Sequence, residues 1–111
     1  MGMGLSAFKI LREKEWLEFK QNGDFSGSEH DQRDGFIHLS SKDQVERTKE
    51  KYFANEDVYI VEFNVDDFGN DIKWEKSSEG IQFPHLYGRP LKVSQMIDYQ
   101  FVSSSKAQKG D

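Results

Sequence analysis

Cysteine is absent from this chain of 111 residues. Disulfides, thiolate nucleophiles and thiolate metal ligands are therefore excluded. Proline is nearly absent as well, with two in the whole sequence, Pro84 and Pro90. No run of about 18 apolar residues occurs, so nothing reads as a membrane span, and the N-terminus lacks the apolar segment of a signal peptide. Positive charge is in deficit: 15 Lys and Arg stand against 20 Asp and Glu, a net charge of −5. A broad phosphate-backbone footprint needs a basic face, so there is no strong nucleic-acid signature. The expectation is a soluble, cytoplasmic protein with no membrane partner.

What is present is an aromatic share of 14% within a hydrophobic content of only 35%. Rings bury large areas each, so a compact, aromatic-rich core is expected. The length suits a single domain. Small and polar residues at 1–6 and 103–111 read as flexible ends, leaving one domain over residues 7–102.

Residues 8–11 read as a first strand, and EKEWLEFKQN (13–22) as a helix with Trp16, Leu17 and Lys20 on one face and Gly23 as its stop. Arg12 stands where a capping Ser or Thr would help. Residues 23–34 read as irregular, followed by a strand at 35–39. Ser41 with Gln44 three residues on forms a capping box opening a helix to about Phe53, with Val45, Thr48 and Tyr52 as its inward stripe. DVYIVEFNV (57–65) is nearly continuous in β-branched and aromatic residues and reads as a central strand. A turn at 66–70, a short strand at 72–75 and a second turn at 77–80 follow. Pro84 and Pro90 bracket an irregular passage, and Ile97, Tyr99 and Phe101 alternate as in a half-buried strand. Two early helices with strands dominating afterwards predict an α+β domain built on a curved, split β-sheet, with Ile37, Leu39, Val58, Ile60, Val61 and Phe63 in its core.

Two stretches carry chemistry. In DGFIHLSSKDQ (34–44), strand alternation turns Ile37 and Leu39 one way and Phe36, His38 and Ser40 the other. An imidazole and a hydroxyl on one wall can hold a ligand hydroxyl or move a proton, although a single histidine is more often structural. In KWEKSSEGIQFPHLYG (73–88), Lys73 and Glu75 share one strand face, Ile72 and Trp74 the other, and Pro84 and Gly88 fix a passage holding His85 and Tyr87. The alternatives are a surface ion pair for Glu75 and an aromatic loop with His85 exposed. No Rossmann, P-loop, nucleophile-elbow or HExxH motif occurs. None of His30, His38 and His85 are spaced i, i+4. Spacing thus supports no metal site, although His38, His85 and a carboxylate such as Glu75 form a combination that geometry leaves open.

Together the segments resemble domain-of-unknown-function family 952, through Lys9-Ile10-Leu11, Trp16, the run from Asp34 to Ser40 with Gln44, Lys73-Trp74-Glu75, and the run from Phe83 to Gly88. Arg12 at the cap position and Arg89, in place of a direct step into proline, depart from that pattern. The resemblance implies a small split-sheet fold similar to the ADP-ribosyltransferases, and similar in layout to the tRNA 2′-phosphotransferases and the rifamycin-modifying ADP-ribosyltransferases. It implies that Glu75 would be the carboxylate facing a developing ribose cation, with His38 beside it in the catalytic pair. Ser40 and His85 would bind ligand, and Trp74 and Tyr87 would wall a flat base. No cofactor is established for the family; NAD or another nucleotide-like small molecule is the ligand class implied. For phosphates the first strand offers only Lys9. Two readings stand: an ADP-ribosyl-transfer-like enzyme, and a non-catalytic ligand-binding or interaction module on the same fold.

Overall fold

The computed structural model describes residues 5–104, and the readings of the chain's first four and last seven residues fall outside that range. In chain order the elements are β1 (Ser6–Arg12), α1 (Glu13–Asn22), β2 (Asp24–Phe25), α2 (Glu29–Asp34), β3 (Ile37–His38), α3 (Val45–Tyr52), β4 (Val58–Asn64), a 3-10 segment (Val65–Asp71), β5 (Ile72–Lys76), β6 (Gln82–Leu86), β7 (Leu91–Lys92), a 3-10 turn (Val93–Gln95) and β8 (Met96–Val102). This is a mixed α+β architecture of small antiparallel sheets.

Where the sequence predicts a two-part sheet, the strands divide into three, ordered β1-β4-β8, β2-β7 and β3-β6-β5. The apolar run of β4 is central to the first, as its composition predicts. Phe8 and Ser40 join the first sheet to the third by exchanging backbone hydrogen bonds of 2.7 and 2.9 Å. That bridge sets the chain after β3 beside β1 and so opens a space between the two sheets.

Val58, Val61, Phe63, Ile37 and Leu39 are buried as expected. Ile60 is only half-buried, because it alternates to the face of β4 turned away from α1. Helix α1 packs Trp16 and Phe19 onto the sheet, with Trp16 stacked on Tyr59 at 4.6 Å. Leu17, expected inward, is exposed, since Phe19 completes the apolar stripe instead. The weak signal at Arg12 is compensated from within the helix: the Arg12 N–H donates to Glu15 Oε1 at 2.9 Å. Helix α1 is too narrow to cover the edge strand, so Ile97, Tyr99 and Phe101 alternate correctly but remain about half exposed, at 55%, 49% and 50%.

The largest correction concerns residues 23–34. This stretch forms β2 and helix α2, opened by a capping box in which the Ser28 hydroxyl accepts from the Asp31 N–H and Asp31 accepts from the Ser28 N–H. The passage expected to be irregular from Pro84 onward begins instead within β6 (Gln82–Leu86), the central strand of the third sheet. Proline is tolerated there because its neighbour β3 is only a residue pair, and the Pro84 carbonyl still accepts the Leu39 N–H at 3.0 Å. Helix α3 buries Lys49 rather than Tyr52, which is exposed. The stem of a lysine can pack where its ammonium reaches outward. Among the described residues, no helix is long and apolar enough to cross a membrane.

Candidate functional site

The site is organised around two carboxylate–imidazole pairs facing one another. His38 on β3 and His85 on β6 are directly opposed partners in the antiparallel ladder. Their side chains must therefore lie on one face of the sheet. Their ring centroids are 5.4 Å apart, and the Phe36 ring touches both, stacked on His85 at 4.1 Å and tilted against His38 at 4.6 Å.

The first pair rests on a buried carboxylate. The Asp31 side chain is 2% exposed, and Oδ2 takes the Lys9 ammonium at 2.8 Å. The same oxygen accepts the Ser28 N–H at 2.8 Å, while Oδ1 accepts the His38 backbone N–H at 3.1 Å and meets His38 Nδ1 at 2.6 Å. Burial by itself disfavours the ionised acid, but the hydrogen bond with His38, the charge and hydrogen bond of Lys9 and the Ser28 N–H outweigh it. The Asp31 carboxyl is held well below the usual carboxylate range. The other ring nitrogen of His38, Nε2, lies 3.0 Å from Asp34 Oδ2.

The second pair sits on the outward face of β5 and β6. Glu75 Oε1 accepts the Tyr87 hydroxyl at 2.6 Å and lies 2.7 Å from His85 Nδ1. These bonds, Tyr87 first and His85 second, hold the Glu75 carboxyl below its ordinary value. The same carboxylate pushes the Tyr87 phenol up to about 12, because ionising it would sacrifice the donated bond.

Beside the imidazoles lies a cavity of about 600 Å³, within the range of small-ligand sites. Phe8, Ile10 and Phe83 give it an apolar floor, and Ser40 and Thr48, whose hydroxyls are 3.3 Å apart, give it a polar wall. Arg12, Arg47 and Lys51 bring positive charge to it. Arg12 is committed to Glu56 at 2.6 Å and Lys51 to Glu79 at 3.3 Å. Arg47 has no hydrogen-bond or ion-pair partner among the described residues.

Of the residues singled out in the sequence, His38, Ser40 and His85 line the cavity. Glu75 and Tyr87 join them through His85 but stand behind it rather than on the cavity wall. Trp74 alternates to the opposite face of β5, paired with Pro84, and takes no part in the cluster. The view that the first strand offers only Lys9 is corrected: Arg12, the last residue of β1, reaches the cavity, whereas Lys9 is committed to Asp31. Sequence reading missed Asp31, Asp34, His30, Arg12 and Arg47. A Ser28-x-x-Asp31 capping signature was available to mark α2, and with it the i, i+4 spacing of His30 and Asp34.

The protein CC0527 from Caulobacter crescentus is similar to this chain. Its crystal structure is 40% identical, superposes with a TM-score of 0.81, and the match covers 86% of this chain and 84% of that one. The solution NMR structure of the same protein gives 41% identity and a TM-score of 0.76, covering 86% and 82%. No curated protein matches the chain. Residues 10–99 match the family described as protein of unknown function, DUF952. With most of its length matched, this chain belongs to the DUF952 family of proteins of unknown function.

Proposed function

We propose that the cavity binds a small phosphorylated ligand carrying a flat apolar group, with NAD, ADP-ribose and related nucleotides as the class that fits. One observation carries this reading. An apolar cavity wall holds an arginine with no internal partner, Arg47, and shares its border with two oriented imidazoles and the Ser40 hydroxyl. An arginine fork suits phosphate oxygens, apolar and aromatic walls suit a base, and imidazole and hydroxyl groups suit ribose hydroxyls. A soluble cytoplasmic protein is consistent with such a ligand.

The sharper reading on the same site is glycosyl transfer of the ADP-ribosyl type. Breaking a nicotinamide–ribose bond develops positive charge on the sugar, which a nearby carboxylate stabilises. The close approach of the Glu75–His85 pair to His38 favours it. However, Glu75 engages both His85 and Tyr87 behind the cavity wall, which suits orientation of His85 better than direct contact with a sugar. Binding is therefore the reading we adopt, and transfer is the alternative.

Thermal unfolding with NAD, ADP-ribose, ADP and unphosphorylated adenosine tests it. A ligand of the native state stabilises it by RT ln(1 + [L]/Kd), about 2.7 kcal/mol at a hundredfold excess over Kd, and so raises the midpoint. Phosphorylated compounds should raise the midpoint and adenosine should not. Arg47→Ala should abolish most of the effect without lowering the midpoint of the free protein. No shift with any of them, or an unchanged response in Arg47→Ala, removes the proposal.

A further inference from the structure

We infer that His30, Asp34 and His38 form a binding site for a divalent first-row transition metal of the zinc or cobalt kind. The three residues are spaced four apart, HDQRDGFIH over residues 30–38. His30 and Asp34 share one face of α2, and Gly35 ends that helix in the left-handed conformation, at φ 86°. The chain then turns into β3 and returns His38 to the same point. His30 Nε2 lies 3.4 Å and His38 Nε2 3.0 Å from the same oxygen, Asp34 Oδ2. Ligand atoms bound at about 2.1 Å to one metal are separated by about 2.9–3.4 Å in octahedral or tetrahedral arrangements. The three donor atoms all lie within 4.8 Å of one another, so the exposed His30 ring needs only a small rotation to close the set.

The hydrogen bonding of His38 favours a cation at this point. Its Nδ1 donates to Asp31, so in the neutral ring Nε2 carries a lone pair. That lone pair faces a carboxylate oxygen, which also carries only lone pairs. A positive centre between them, either a second proton or a metal ion, relieves the conflict. Convergence of a second imidazole, His30, on the same oxygen is not required by a proton and is what a metal needs. The Asp31–His38 bond is also the arrangement by which a carboxylate orients a ligating histidine. Two imidazoles and one carboxylate select transition metals over magnesium or calcium, and three protein ligands leave positions open for water or a ligand oxygen. One contact opposes binding: Arg33 Nη2 lies 2.8 Å from His30 Nδ1. The guanidinium donates there, which places the His30 proton on Nε2. Arg33 is exposed and must release the ring for the metal to bind.

The inference does not depend on the nucleotide reading, and its test uses metal alone. Tag-free, chelator-treated full-length protein is titrated with zinc by calorimetry and with cobalt by visible absorption. One equivalent should bind, with cobalt bands of a low-coordinate site. His30→Ala and Asp34→Asn should each weaken binding by roughly tenfold or more. Arg33→Ala should tighten it, an effect in the direction opposite to ligand removal. Failure of the wild-type protein to bind one equivalent overturns the site. So does binding that His30→Ala and Asp34→Asn leave unchanged, or that His85→Ala abolishes.

Discussion

His38 and His85 are opposed partners across two strands, and each turns Nδ1 to a carboxylate of its own, Asp31 at 2.6 Å and Glu75 at 2.7 Å. The two pairs differ in burial. Asp31 is sealed beneath the fold with Lys9, whereas Glu75 is partly open to water. The first is therefore a structural device as well as a site element, and the second is free to respond to a ligand.

The burial of Asp31 yields a stability prediction. Removing one member of a buried pair leaves the other charge uncompensated, at a cost of about 3–5 kcal/mol. Asp31→Ala should lose about that much in urea unfolding at neutral pH. Because the Asp31 carboxyl is held below its ordinary value, the unfolded chain takes up a proton more readily than the folded one. Its contribution is then complete above the ordinary carboxylate range, near pH 4, and declines as pH falls further. Unfolding measured from pH 6 down to pH 2 should show a steeper loss in the wild type than in Asp31→Asn.

Gly35 provides a second test. It adopts φ 86° with no atom near the position a Cβ would take, so strain comes from the backbone alone. Gly35→Ala should cost about 1–2 kcal/mol. It should also loosen the return of His38 to Asp34, which histidine ring NMR signals would report. An unchanged midpoint with unchanged ring signals would mean that the turn does not hold the site together.

Tyr87 offers a spectroscopic readout of the second pair. With its phenol pushed up to about 12, Tyr87 should remain un-ionised after an ordinary tyrosine has titrated. Ultraviolet titration of the wild type and Tyr87→Phe isolates this residue by difference. Glu75→Gln should move its transition back toward pH 10, because the amide oxygen is a weaker acceptor than the carboxylate. A Tyr87 transition already near pH 10 in the wild type would contradict the 2.6 Å bond.

Much of this was legible in sequence, for identifiable reasons. The nearly continuous apolar run of β4 and the alternation at Phe36, Ile37, His38 and Leu39 state their own geometry, so most of the core, and the turn of His38 to the face opposite Ile37 and Leu39, followed from them. The opposition of His38 and His85 depends on strand register across a long chain separation, which no local pattern specifies. Helix α2 is six residues long and polar, so hydrophobic periodicity could not reveal it; only its Ser28–Asp31 cap could. Missing that helix hid His30, Asp31 and Asp34 together. Trp74 drew attention by its chemistry, but alternation with Glu75 already turned it to the other face of β5.

The metal should not be needed for the fold. Cysteine is absent, and Asp31, the Ser28 cap and the Phe8–Ser40 bridge hold α2 and β3 by protein contacts alone. Chelator treatment should leave far-ultraviolet circular dichroism unchanged and lower the midpoint only by the linkage that binding supplies. Collapse of the spectrum on chelation would instead make the metal structural.

Glu75→Gln and His38→Ala separate binding from transfer once a nucleotide ligand is identified. In a binding pocket, His38 borders the ligand directly, so His38→Ala should weaken affinity, while Glu75→Gln should have a smaller effect through the orientation of His85. Both changes then appear in Kd. In a transferase, the Glu75 carboxylate acts on charge that develops only as the glycosidic bond breaks. Glu75→Gln should then leave Kd nearly unchanged and reduce kcat by about two orders of magnitude or more, the scale seen when a transition-state electrostatic contact is removed. Nicotinamide release from NAD, followed alongside calorimetric Kd for both variants, resolves the two. Wild-type protein that binds NAD yet releases no nicotinamide supports the pocket; release that Glu75→Gln suppresses at unchanged Kd makes Glu75 the working carboxylate despite its place behind His85.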